Sequence, residues 1–253
     1  MKQKFAIQLH TVRKEFEHDF AGVLRELAAM GWAGVQIAQL YNHDPHEIAA
    51  VITETGLRTA GMHVGYERLN NQLDNVLREA EIFKTRDLIC PALPPRLRNE
   101  QGFREAKGVL NEIARKVKEQ GIRIHYHNHA YEFETRINGN SALSFMYDTT
   151  DGSDIYAEPD VYWVKKSGID PYSLIKMYPY RMPYIHLKDM TQGDNPTFTE
   201  IGTGIIDFKT ILLWGEQHGI EWYVVEQDQC EGSAMDSVAI SYTQLMYLSE
   251  LKS

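Results

Sequence analysis

Eight times along this chain, a short run rich in β-branched and aromatic residues gives way to a longer stretch with helical spacing. That alternation limits the possible folds more than any other feature. Strands are expected at Phe5–Leu9, Gly34–Ile37, Leu57–Val64, Leu88–Cys90, about Ile122–Asn128, Ile155–Asp160, Tyr184–Leu187 and Trp222–Glu226. Helices are expected over Phe20–Met30, Pro45–Thr55, Asn70–Phe83, Phe103–Gln120, Ala142–Tyr147, Pro171–Met177, Phe208–His218 and Met235–Leu251. Asp44 is an N-cap followed by Pro45, whose fixed φ suits a first helical turn, and Gly31, Gly56 and Gly121 act as helix stops. With no Ser/Gly/Pro-rich linker and no shift in composition, residues 1–253 read as a single α/β domain, a (β/α)8 TIM barrel. A doubly wound open sheet is the alternative, but no G-x-G-x-x-G follows the first strand.

Composition narrows the partners. The chain carries a formal charge of −9, so nothing electrostatic recommends a nucleic acid or an anionic membrane surface. Its start holds Lys2, Lys4, Arg13 and Lys14 and no long apolar run, unlike a secretory signal. No window approaches the ~18 apolar residues of a membrane span. Two cysteines, Cys90 and Cys230, without a C-x-x-C pair, are expected as free thiols in a reducing cytoplasm. A small polar molecule is the favoured ligand, and the chain is compatible with a homo-oligomer.

Barrels of this kind keep their chemistry at the C-terminal ends of the strands. Those positions read His10, Gln36, His63 and Cys90, then His127, His129 and Glu132, then Asp160, His186 with Lys188, and Glu226 with Asp228. The densest stretch is the fifth strand, where His125, His127 and His129 alternate and Glu132 and Glu134 follow. Residues two apart on a strand share a face, so the three imidazoles are expected to point the same way. A buried ring without a partner costs free energy. Such a row therefore suits proton transfer or metal binding better than packing. Taken singly, each residue has a plainer reading: Asp160 as a helix cap, His186 as a hydrogen-bonded core residue. Converging carboxylates would repel one another without a cation. An oxygen-rich set with one imidazole suits Mn²⁺, Mg²⁺ or Co²⁺.

These residues lie in His127–Phe133, Pro159–Val164, His186–Asp189, Ile201–Asp207 and Val225–Asp228. In order and spacing the segments resemble the sugar phosphate isomerase/epimerase family of xylose isomerase-like TIM barrels, over essentially the whole chain. The resemblance implies one divalent metal ion, Mn²⁺ first and Mg²⁺ or Co²⁺ otherwise, held by Glu132, Asp160, His186 and Glu226. Some members place the first glutamate inside strand five, where this chain has His125 or Tyr126, and Glu134 is the competitor of Glu132. The resemblance also implies substrate contacts from His63, His127 and His129, with His10 and Lys188 alongside, and an apolar wall from Trp163. Gln36 departs from the pattern, since many relatives carry Glu at the end of strand two.

The expected activity is isomerisation or epimerisation of a ketose or keto-sugar by proton abstraction next to a carbonyl, through a metal-stabilised enediolate. Glu132 and Glu226 would take and return the proton on opposite faces of the substrate. A lyase or dehydratase acting on an inosose or 3-keto-glycoside through the same intermediate is the alternative. An endonuclease IV-like nuclease is a remote one, because it would need further ligands and a basic face. Gly202-Thr203-Gly204 reads as a tight loop rather than a phosphate cradle. Tyr41, Tyr66, Trp163 and Phe198 are expected at the rim, where aromatic faces suit an unphosphorylated sugar.

Overall fold

All eight expected strands form in the computed structural model, which describes residues 1–250. They are β1 (Phe5–Gln8), β2 (Gly34–Ile37), β3 (Arg58–His63), β4 (Asp87–Cys90), β5 (Arg123–His127), β6 (Tyr156–Glu158), β7 (Tyr184–Leu187) and β8 (Trp222–Val225). The strands run parallel in the order β6-β5-β4-β3-β2-β1-β8-β7. A parallel bridge between Asp160 and His186 joins the two ends, with the His186 N–H donating to the Pro159 carbonyl at 2.9 Å. The ring therefore closes at two of the residues expected to hold a metal.

Every residue of β1, β2, β4, β7 and β8 is buried, because one face fills the barrel and the other meets the helices. Low in the barrel, Ala6, Ala60, Tyr184, Trp222 and Val224 pack into a small apolar cluster of their own. Two residues further along the same strands come Gln8, His186 and Glu226, on the same face by alternation. The interior thus changes from apolar to polar within one step, and that step sets the depth of the site.

Capping explains where several helices begin. Asp44 accepts from the His46 N–H ahead of Pro45–Thr55, and Asn99 accepts from the Gly102 N–H ahead of Glu100–Val117. Other boundaries depart from expectation. The first helix starts at Arg13, with Asp19 out of helical geometry, and the helix expected over Asn70–Phe83 splits at Gln72. The helix from Phe208 ends at Gly215, short of His218. A six-residue helix, Val161–Lys166, follows β6, and Asp189–Met190 pairs with Phe198–Thr199 inside the long stretch expected to be irregular. The last helix begins at Ala234 and is described to Glu250; Leu251, its expected end, lies outside the described residues. Among the described residues no helix is long and apolar enough to cross a membrane.

Candidate active site

The histidines of β5 part company. His127 lies among rings, with centroids 4.6 Å from His186, 5.3 Å from His63 and 5.3 Å from His129. His125 instead sits at the other end of the barrel, its Nε2 2.8 Å from Asp87 Oδ1. The expectation of three imidazoles in one site is corrected to two, because one strand step of about 6–7 Å separates His125 from His127 along the barrel axis.

Two overlapping groups could hold a cation. His127, Asp160, His186 and Glu226 each offer a ligand atom, all within 4.8 Å of one another, and so do His63, His127, Glu158 and His186. Glu158 is the residue that sequence reasoning missed. Its Oε1 lies 2.7 Å from His63 Nε2, 3.0 Å from His186 Nε2 and 3.2 Å from His127 Nδ1. Its Oε2 accepts from Gln36 Nε2 at 2.8 Å. The signal was available: Glu158 precedes Asp160 by two, so the pair occupies one strand face. Gln36 belongs to the same arrangement. A glutamate there would face Glu158 charge to charge, whereas the amide donates to it and takes a bond from Gln8 at 2.6 Å.

The first group is the better metal site. In the second group, three imidazoles already share the single carboxylate oxygen. In the first, Asp160 divides its labour. Its Oδ1 caps the Val161–Lys166 helix through the Tyr162 and Trp163 N–H groups, while its Oδ2 is buried without a hydrogen bond and lies 3.0 Å from Lys188 Nζ and 3.7 Å from His127 Nε2. Lys188 Nζ also lies 2.9 Å from Glu226 and 3.1 Å from Asp228. Four carboxylates, of Glu158, Asp160, Glu226 and Asp228, thus face Lys188 and His186, and His186 must give up its extra proton to act as a ligand. A divalent ion offsets part of that excess negative charge, and the donor set of two imidazoles and two carboxylates suits one.

The chain's own charges pull these groups apart. Burial opposes protonation of His186, yet Glu158 and Glu226 at its two nitrogens hold its pKa up at about 10. Burial, with His186 beside it, keeps His127 well below the usual histidine range; burial and Lys188 bring His129 down to about 4. Burial also lowers His10. Asp160 is lifted by burial to about 6 against the pull of Lys188 and His186. Burial would raise Glu226 too, but Lys188 and His186 hold it well below the usual carboxylate range. The Cys90 thiol is pushed up by burial to about 12 and is no nucleophile at neutral pH.

Other expected residues are placed differently. Glu132 does not join the cluster: its Oε1 accepts from the Tyr126 hydroxyl at 2.7 Å and its Oε2 from the His129 N–H at 2.9 Å, fully buried. The short helix Tyr131–Glu134 turns it back beneath the loop, and Glu134 is exposed. His127 stands in the cluster instead. Trp163 packs against His129, centroids 5.4 Å apart, and against Phe198, one layer behind the open cleft. Tyr66 is buried rather than at the rim. The Gly202-Thr203-Gly204 amides hold an anion from the chain itself: Asp189 Oδ2 accepts from the Gly202 and Gly204 N–H groups at 2.9 Å each. A Cβ at Gly204 would collide with the Met190 carbonyl, so glycine is needed there for close approach.

The cluster opens into a cleft of ≈ 730 Å³. His10, His63, His127, His129, Glu226 and Asp228 line its inner part, and loops after β2, β3 and β4 its outer part.

Comparison with known proteins agrees with this architecture. Residues 24–239 match the family described as xylose isomerase-like TIM barrels. An inosose dehydratase of Geobacillus kaustophilus is 24% identical over 249 residues, covering 82% of this chain and 79% of that enzyme. The chain spans about half the length of other inosose dehydratases that it matches. A solved sugar phosphate isomerase/epimerase of Parabacteroides distasonis superposes with a TM-score of 0.78 at 23% identity, covering 97% of this chain and 94% of that one. A solved protein named IOLI, with a bound zinc atom, gives 0.75 at 12% identity, with 97% of each chain covered. At such identities these structures speak for the fold alone.

Proposed function

Because the chain belongs to the xylose isomerase-like TIM barrel family, whose members here include carbohydrate enzymes, we propose that it is a metal-dependent lyase acting on a cyclic keto-carbohydrate. The reading rests on one observation. Glu226 opens on the cleft, whereas the carboxylate of Glu132 is closed off by Tyr126 and the His129 amide. Epimerisation by two glutamates on opposite faces needs both. Elimination needs one base and a route for a proton to the departing oxygen, and His10, His63 and His129 line that route. The similarity to inosose dehydratase points the same way.

His127, Asp160, His186 and Glu226 would hold the divalent ion, with Mn²⁺, Mg²⁺, Co²⁺ and Zn²⁺ all suited to mixed imidazole and carboxylate donors. When bound, such an ion supplies Lewis acidity toward a carbonyl oxygen. The chain does the rest. Glu226 takes the proton from the carbon next to the carbonyl, and Lys188, 2.9 Å away, helps to hold it ionised. Lys188 balances the charge that develops. His129, neutral at rest, is a strong donor once it has received a proton and can return it to the leaving oxygen. Glu158 and Gln36 fix the orientation of the His63, His127 and His186 rings, as partners of metal-ligating histidines do.

Isomerisation or epimerisation is the second reading, favoured by Glu158 and Glu226 standing at opposite nitrogens of His186. Incubation of the metal-loaded enzyme with inososes and 3-keto-glycosides in D₂O separates the two. The lyase reading expects loss of water or an alcohol and growth of enone absorbance, with solvent deuterium beside the carbonyl of recovered substrate. Exchange with inversion and no elimination would overturn it in favour of the epimerase.

A further inference from the structure

The cleft is larger and more divided than a single ring requires. At ≈ 730 Å³ it falls in the range of about 300–1,000 Å³ that holds drug-sized ligands. One keto-sugar against the metal group would leave most of that space to water. The division follows the fold: the candidate ligands come from β5 to β8, while the outer half comes from the loops after β2, β3 and β4. That outer half presents Ala38, Leu40, Tyr41, Pro91 and Ala92, with the Arg68–Glu79 ion pair at its edge.

The Tyr41 loop is built to hold this face out. Tyr41 and Asn42 have φ of 49° and 65°, left-handed values that a bulky residue resists. Strain of this kind persists only where the surroundings impose it, and it gathers at ligand clamps. Here the brace is visible. Phe16 and Phe20 pack behind the loop, with centroids 6.4 Å from Tyr41 and 4.8 Å from His43, and the His43 ring meets the Glu17 carbonyl at 3.1 Å. A half-buried aromatic on a braced turn is a preorganised platform for the flat face of another ring.

We propose that this outer half is a leaving-group subsite, and that the substrate is a keto-glycoside whose aglycone presents an apolar ring face, rather than an inosose. The identity of the leaving group rests on the elimination proposed above; the subsite itself does not. In a 3-keto-glycoside the base removes the proton on C2, the C2–H electron pair becomes the C1–C2 double bond, and the C1–O bond breaks. The aglycone oxygen takes a proton and departs as an alcohol, leaving an enone. No oxidant or reductant is consumed. An inosose losing water would bring nothing to lodge against Tyr41.

The test compares 3-keto-glucosides carrying methyl, benzyl and cyclohexylmethyl groups, whose alcohols have similar acidity, in the metal-loaded enzyme. The subsite expects kcat/KM for benzyl to exceed methyl by about 10-fold or more, the range of a well-formed aromatic contact. The benzyl-to-methyl ratio should collapse toward one in Tyr41→Ala and fall in Leu40→Ala. A parallel measurement reads binding alone, as the Kd ratio of benzyl to methyl glucosides without the keto group. Equal elimination of all aglycones, unchanged in both variants, would overturn the subsite and leave the lyase reading standing. No elimination of any compound, with a Tyr41-dependent preference for benzyl in binding, would overturn the lyase reading and keep the subsite.

Discussion

The two ends of this barrel hold nearly the same ingredients and behave as opposites. At the N-terminal end His125 meets Asp87, which also accepts from the Tyr184 hydroxyl at 2.9 Å and from Arg123 Nε at 2.6 Å. Arg123 goes on to a two-point contact with Glu221. The Asp87 carboxyl, for all its burial, is held far below its usual range by His125 and Arg123. At the C-terminal end His127 stands two residues along the same strand, among carboxylates that outnumber their cations and beside a cleft. Imidazole and carboxylate are common to both. A smaller cavity of ≈ 400 Å³ lies beside Asp87 and Arg123 as well, so it is charge balance that separates a structural brace from a site where chemistry can occur.

The largest expected effect breaks the mouth and spares the base. Glu226→Gln keeps an oxygen for a cation but removes the general base, so turnover should fall by about 10²–10⁴-fold. Metal content, read by atomic emission, should change much less. Turnover within a few-fold of wild type would show that another group moves the proton.

The converse variant lies at the opposite end. Asp87→Ala leaves His125, the Tyr184 hydroxyl and part of Arg123 buried without their common partner. Loss of one member of a buried ionic network costs about 3–5 kcal/mol. Urea unfolding should report that loss while kcat of the folded protein stays near wild type. A variant that kept its stability and lost its turnover would erase the distinction between the two ends.

Much of this was legible beforehand, and the exceptions have physical causes. The alternation of strand and helix gave the barrel, and strand-end position gave Asp160, His186 and Glu226. Two features depend on register that spacing does not encode. The resemblance makes His127 a substrate contact, and nothing in the spacing tells which residue of β5 ends level with Asp160; that level is set where β6 and β7 close the ring, and it puts His127 in the cation cluster as well as the cleft wall. Glu158 shares a strand face with Asp160, a signal present in the sequence, but its partners, Gln36, His63, His127 and His186, come from four other strands, which only closure brings together. Glu132, expected as a ligand and base, lies apart from the cluster for the reverse reason: a four-residue helix after β5 turns its side chain inward toward Tyr126, and loop direction is not written in strand periodicity.

Glu132 supplies the smallest effect and the sharpest test of the mouth's boundary. Burial raises its pKa to about 7, even though Tyr126 and the His129 N–H favour the charged form. A carboxyl whose pKa is higher in the folded state than its ordinary 4.5 binds its proton more tightly when folded. Its contribution to stability is therefore complete below about pH 4.5 and is lost as pH rises through about 7. Glu132→Gln carries an uncharged amide of the same shape and has no proton to lose. The difference in Tm between variant and wild type should move in the variant's favour across that window, and parallel curves would contradict the raised pKa. Turnover decides the larger question. With its carboxylate sequestered, Glu132→Gln should lose far less activity than Glu226→Gln. Equal losses would return Glu132 to the reaction and restore the two-glutamate epimerase at the expense of the lyase.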